Sequence, residues 1–122
     1  MILADTSIWV DHLRRHNLQM QVLLDSGQVL MHPFIVAELA LGSVRDRLRT
    51  LAALDAVLSA RVAQVSEVRQ MIEARSLYAR GIGLTEAHLV ASCLITPGTR
   101  LWTRDNALRS VAQTLGIDAG LP

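Results

Sequence analysis

Apolar residues in this chain form two kinds of pattern. Short continuous runs, too brief for a helix, stand between longer stretches in which they recur at helical spacing. Ile2 to Asp5 is one such run and predicts a buried strand, after which Thr6 and Ser7 offer caps for a helix carried by Ile8, Trp9 and Leu13. Beyond the polar stretch Arg14 to Asn17, a second helical stretch runs from Leu18 to Asp25 and stops at Ser26-Gly27. Gln28 to Met31 predicts strand two. Pro33 suits the first turn of a helix that Phe34 to Leu41 continues and Gly42 ends. Leu48, Leu51, Leu54 and Leu58 form an apolar stripe behind the charged start Arg45-Asp46-Arg47, the mark of an amphipathic helix.

The second half repeats the alternation. Val62 to Val65 predicts a third strand, Ser66 a cap, and Glu67 to Arg80 a helix ending at Gly81-Ile82-Gly83. Thr85 is placed to cap the next helix, which reaches Ile95. Pro97-Gly98 then turns the chain into strand four at Leu101 to Thr103. Asp105-Asn106 opens a last helix through Leu115-Gly116, with a short fifth strand near Ile117. Short apolar strands alternating with helices predict βαβ units: an α/β fold whose central parallel sheet of four to five strands is covered on both faces. With no repeat, linker or low-complexity segment, residues 1–122 are expected to form a single domain.

Composition narrows the chemistry. At 122 residues and 51% hydrophobic content, the chain can bury one core without covalent staples. Its one cysteine, Cys93, permits neither an internal disulfide nor a multi-cysteine zinc site, in keeping with a reducing, cytoplasmic setting. The longest uncharged run, Ala87 to Thr99, is broken by His88 and Pro97, so neither a membrane span nor an export signal is expected. Net charge is +1, which leaves any attraction for nucleic acid to local patches. All 12 basic residues are arginine. Without lysine, Schiff-base and pyridoxal-phosphate catalysis and a P-loop are excluded.

The candidate chemistry is acidic. Asp5 and Asp105 stand where two predicted strands finish, and in open α/β sheets the carboxyl edge of the strands is where ligands bind. Glu38 shares a helix face with Phe34, Leu41 and Gly42, and Glu86 one with Leu89, Val90, Cys93 and Leu94, so both are expected to point inward, Glu38 toward the apolar interior or a cleft within it. Asp5, Glu86 and Asp105 have an equally ordinary explanation as helix caps or partners of a helix N-terminus. If the four converge, a pair about 5 Å apart repels by roughly 3 kcal/mol at an effective dielectric of about 20, and something positive must compensate. Hard oxygen donors without a cysteine cluster point to Mg²⁺ or Mn²⁺ and hence to a phosphate ester as substrate. Thr6, Ser7 and Thr103 lie beside the acids, as hydroxyls that hold carboxylates, waters or substrate, or as plain caps.

Asp5-Thr6-Ser7 after a first strand, Glu38-Leu39 within a helix, Gly81-Ile82-Gly83 before Glu86-Ala87-His88-Leu89-Val90-Ala91-Ser92, and Leu101-Trp102-Thr103-Arg104-Asp105 together resemble the PIN-domain ribonucleases of the VapC toxin type. The likeness runs over nearly the whole chain. It implies a three-layer α/β/α fold, Mg²⁺-dependent cleavage of RNA with Mn²⁺ able to substitute, a homodimer, and inhibition by a small cognate VapB-like antitoxin. By position it gives Asp5, Glu38, Glu86 and Asp105 the role of catalytic acids that hold metal or its water. The family usually has aspartate where this chain has Glu86, and the added methylene can displace the carboxylate by more than about 1 Å, enough to weaken metal catalysis.

Two rival functions are weighed against this. An aspartyl nucleophile at Asp5, as in receiver or haloacid-dehalogenase folds, lacks the lysine such sites use, and the second aspartate of the dehalogenase type is replaced by Ser7. A catalytically weak or inactive PIN-like module that binds a protein partner is the other, with Glu86 as the sign of decay. Of the remaining histidines, His12 and His16 alone have an i,i+4 spacing, and His88 is read as packed or half-exposed; Cys93 is read as a small core residue, and Trp9 and Trp102 as core aromatics or, alternatively, groove or dimer contacts. Arg14, Arg15, Arg45, Arg47, Arg49 and Arg104 offer a local basic surface for RNA phosphates or for an acidic antitoxin segment, or simply a solvated charged face, with Arg104 expected at the rim of the acidic site. At 3% aromatic content, base stacking cannot be the main mode of RNA reading.

Overall fold

The computed structural model describes residues 1–122. Strand β1 (Ile2–Ala4) lies at the centre of a three-stranded sheet, between β2 (Val29–Leu30) and β3 (Arg100–Trp102), with every pairing parallel. Leu3 and Ala4 in β1, and Leu101 and Trp102 in β3, are all buried. Successive side chains of a strand point to opposite faces, so both faces of the sheet are covered. The covering helices are α1 (Thr6–Arg15), α2 (Leu18–Asp25), α3 (Pro33–Ala40), α4 (Arg47–Asp55), α5 (Val65–Ala74), α6 (Leu84–Ile95) and α7 (Asn106–Thr114).

The sheet is smaller than the four to five strands expected. Val62 to Val65 does not pair: Val62 and Val65 are exposed, and Val65 already opens α5. The contact to β2 is made earlier, where Met31 donates to Leu58 O at 2.7 Å and Ala60 donates to Met31 O at 2.8 Å. Ala60 and Ala63 are buried in place of the valines. Gln64 N–H donates to the Glu67 carboxylate at 2.8 Å, which starts the helix ahead of Ser66, the expected cap. At the other edge, Leu101 pairs with the segment around Asp118 through a single parallel bridge, in place of a fifth strand.

Helix α5 also ends sooner than Arg80. Ser76 and Ala79 adopt left-handed backbone angles (φ 54° and 57°), and Leu77 N–H turns back to Ile72 O at 2.9 Å. That turn buries Leu77 in the main core, which outweighs continuing an exposed helix. The leucine stripe is only half used: in α4 Leu54 is buried, Leu51 partly so and Leu48 exposed, while Leu58 lies beyond the end of the helix and is exposed.

Candidate active site

Asp5 follows β1, and its backbone N–H donates to Trp102 O at 2.9 Å, locking the end of β1 to the end of β3. From β1 the chain passes to β2 on one side and, later, to β3 on the other, so Asp5 sits at the point where strand order reverses. A crevice opens there in parallel sheets because the connecting helices diverge. A cavity of about 430 Å³ occupies it, lined by Asp5, Glu38, Glu86 and Asp105 together with Thr6 and Ser7. Leu84, Thr85 and Leu89 complete the wall along α6. The four acids, spread from residue 5 to residue 105, thus border one space, and no basic side chain lines it.

Each carboxylate is held by named donors. Asp5 is buried (7% exposed) and caps α1: Oδ1 accepts from Ile8 N–H at 3.1 Å and from Ser7 Oγ at 2.7 Å, while Oδ2 accepts from Thr103 Oγ1. A buried ionised carboxylate is tolerable only with such partners. Thr103 Oγ1 in turn accepts from Asp105 N–H at 3.0 Å, so one hydroxyl ties the first acid to the fourth. Asp105 caps α7 through Oδ2, which accepts from Leu108 N–H at 2.8 Å, leaving Oδ1 without a protein donor. Glu86 Oε1 accepts from Gly83 N–H at 3.0 Å, half of a capping box that Gly83 cannot complete because it has no side chain, and Oε2 stays free. Thr85, the expected cap, instead lines the cavity one residue inside the helix.

Glu38 reaches the cleft and not the apolar interior. It is exposed, because the buried stripe of α3 is Ile35 and Leu39, and Leu41 beside it is 88% exposed. Its Oε1 accepts from Thr6 Oγ1 at 2.6 Å, which aims the carboxylate across the mouth of the cavity toward α1. Glu86 is half-buried at the open end of α6, a helix otherwise buried almost all round from Ala87 to Cys93. Arg104 does not line the cavity: it pairs with Asp11 at 3.3 Å and donates to Pro122 O at 3.0 Å.

Two supporting residues do not stand out in the sequence pattern. Arg109 donates to Thr103 O at 2.7 Å, closing the end of β3. Its one signal is a position four residues after Asp105, on the first turn of α7. His32 Nδ1 accepts from Phe34 N–H at 3.0 Å and so caps α3, the helix that carries Glu38. His32 and His88 are both buried, with ring centroids 6.1 Å apart. Burial pushes both imidazoles below their usual pKa, His32 to about 4 with a further contribution from His88. His12 and His16 lie 5.4 Å apart between ring centroids, with no third ligand. Trp9, Trp102 and Cys93 are core residues, and burial raises the Cys93 thiol to about 12.

The donor set suits a hard divalent cation. It is all oxygen, has no basic side chain among the cavity's lining residues, and retains carboxylate oxygens without a protein donor on Glu38, Glu86 and Asp105. No three acidic or imidazole groups stand close enough to form a ready-made cage.

A parallel α/β sheet with a carboxylate-lined crevice at its switch point defines an acidic class of site. Residues 2–113 match the family model described as PIN domain, and the chain belongs to that family. Within it the similarity is to the VapC type: Ribonuclease VapC32 of Mycobacterium tuberculosis, in strain CDC 1551 / Oshkosh and in strain ATCC 25618 / H37Rv, is 37% identical over 117 residues, covering 96% of this chain and 94% of each relative. No helix is long and apolar enough to cross a membrane.

Proposed function

We propose that this chain is a Mg²⁺-dependent endoribonuclease, the toxin of a type II toxin–antitoxin pair, acting as a single domain in the cytoplasm. The observation that carries the reading is the four-acid cavity at the sheet switch point, combined with relatives that are ribonucleases. Mg²⁺, or Mn²⁺ in its place, supplies Lewis-acid polarisation of the scissile phosphate and a water of lowered pKa. Asp5, Glu38, Glu86 and Asp105 are the ligating and water-orienting groups. Asp5 is the fixed member, with three hydrogen bonds setting its rotamer. Thr6 orients Glu38, and Thr103 sets the spacing between Asp5 and Asp105. Leu84 and Leu89 form the apolar part of the wall.

The partners of this reading are an RNA substrate, a second copy in a homodimer, and a small VapB-like antitoxin that blocks the acidic groove. Its test is cleavage of structured and single-stranded RNAs in Mg²⁺ or Mn²⁺. The natural chain cuts, Asp5→Ala does not, and Glu86→Asp preserves or raises the rate. Equal cleavage by the natural chain and Asp5→Ala refutes the reading, and loss of cleavage in Glu86→Asp refutes Glu86 as the third ligand. A catalytically inactive binding module predicts no heat of Mg²⁺ or Mn²⁺ binding by calorimetry, whereas the acid cavity predicts heat that Asp5→Ala abolishes.

A further inference from the structure

A second cavity, of about 880 Å³, lies farther along the same pair of helices that frames the acidic one. Thr6 borders the first cavity and Leu13 the second; seven residues apart, they lie two turns along one face of α1, about 10 Å along its axis. Glu38 lies near the end of α3 and Gly42 just past it, and α1 packs against α3. The two cavities therefore follow one another along these helices. Their charge is opposite: the second is lined by Arg14, Arg45 and Arg47 against one acid, Asp46.

The arginines divide into a fixed one and two free ones. Arg47 donates to Ala40 O at 2.6 Å and to Gly42 O at 3.3 Å, which closes the loop between α3 and α4 while leaving its charge uncompensated by a carboxylate. Arg14 and Arg45 are exposed and make no ion pair, the chain's one salt bridge being Arg104 with Asp11. Thr50 Oγ1 donates to Arg45 O at 2.7 Å and pins the backbone from which that side chain extends.

We propose that this cavity is a phosphate-binding subsite, in which Arg14 and Arg45 grip the RNA backbone a few nucleotides from the bond that is cut. The proposal rests on the RNA-cleaving reading above. Phosphodiester contacts need only charge and donors, and they fix the register of a strand. An acidic peptide would need buried apolar anchors, and only Leu13 and Val44 among the walls are apolar.

The test uses the full chain and a fluorescein-labelled single-stranded RNA 12-mer, with binding read by anisotropy in EDTA so that no cleavage is required. Arg14→Gln with Arg45→Gln is expected to weaken binding about tenfold and to lower the slope of log affinity against log salt by about 0.7 for each phosphate no longer neutralised. The same charge change at Arg69 and Arg75, exposed on and just after α5, leaves both values unchanged. Lysine at positions 14 and 45 restores most of the salt slope. In Mg²⁺, the glutamine pair raises KM on the 12-mer with kcat retained. RNA binding that does not distinguish the two pairs overturns the subsite, as does a loss confined to a labelled polyglutamate peptide, which would assign the groove to an acidic protein. Failure of the natural chain to cleave while the arginine-dependent binding persists would instead overturn the catalytic reading.

Discussion

His32 is the last residue before α3, its Nδ1 accepts the first free N–H of that helix, and its ring is fully buried against His88 and Phe34. Protonation would remove the acceptor and place a charge in the core, which is why its pKa falls from 6.5 to about 4 in the fold. The unfolded chain therefore binds this proton more readily than the native one. The resulting stability is complete above pH 6.5 and is lost as pH falls through that value toward 4. At about 1.36 kcal/mol for each pH unit of difference, moving from pH 7.5 to pH 5 costs about 2 kcal/mol through His32 alone. His88, shifted in the same direction, adds to the loss. The assay is urea unfolding in EDTA at both pH values for the natural chain and for His32→Asn, whose amide oxygen can keep the cap without titrating. The variant starts less stable, because a ring is lost from the core, but its pH dependence should be shallower by about 2 kcal/mol over this interval. Parallel pH profiles for the two proteins refute the assignment.

Three further outcomes follow from the site and core. Thr103→Val leaves Asp5 buried without one of its donors and Asp105 N–H without its acceptor, so it should destabilise by about 1–3 kcal/mol and reduce cleavage, whereas Thr103→Ser should do neither; denaturant midpoints and cleavage rates decide. Asp105→Asn keeps an oxygen for Leu108 N–H and should change stability by less than about 1 kcal/mol while cleavage falls; a matching loss of both would make Asp105 a cap and nothing more. Cys93, buried and raised to about 12, should resist a thiol reagent at pH 8 until denaturant is added, and rapid labelling of the folded chain would contradict its place in the core.

The sequence is most legible where local chemistry and tertiary packing agree. Ile2 to Ala4 and Leu101 to Trp102 are apolar runs ended by a capping aspartate or a threonine, and both form buried strands with the acids at their carboxyl ends. Val62 to Val65 has equal β propensity but no free strand edge to receive it, since β2 is met by Ser59 and Ala60 first. Propensity records what a segment tolerates, not which neighbour arrives. Arg104 leaves the rim of the site for a geometric reason: consecutive side chains at a strand end diverge, so adjacency to Asp105 directs it away, toward Asp11. Glu38 faces outward because the buried stripe of α3 runs through Ile35 and Leu39, whereas the apolar neighbours Phe34 and Leu41 that suggest an inward face are themselves not buried.

The ordinary and the functional explanations of the acids are compatible at the level of atoms. Asp105 caps α7 with Oδ2 and keeps Oδ1; Glu86 holds Gly83 N–H with Oε1 and keeps Oε2; Asp5 caps α1 with Oδ1 and is steadied by Thr103 through Oδ2. Capping restrains the rotamer of each acid at the border of the cavity, and under the proposed reading the helix N-termini act as mounts for the site. The extra methylene of Glu86 fits this scheme, because it lets the side chain fold back to its own N-cap residue while the second oxygen stays available. What tunes this site is therefore how each carboxylate divides its two oxygens between helix and cavity, and shortening Glu86 to aspartate changes that division without changing charge.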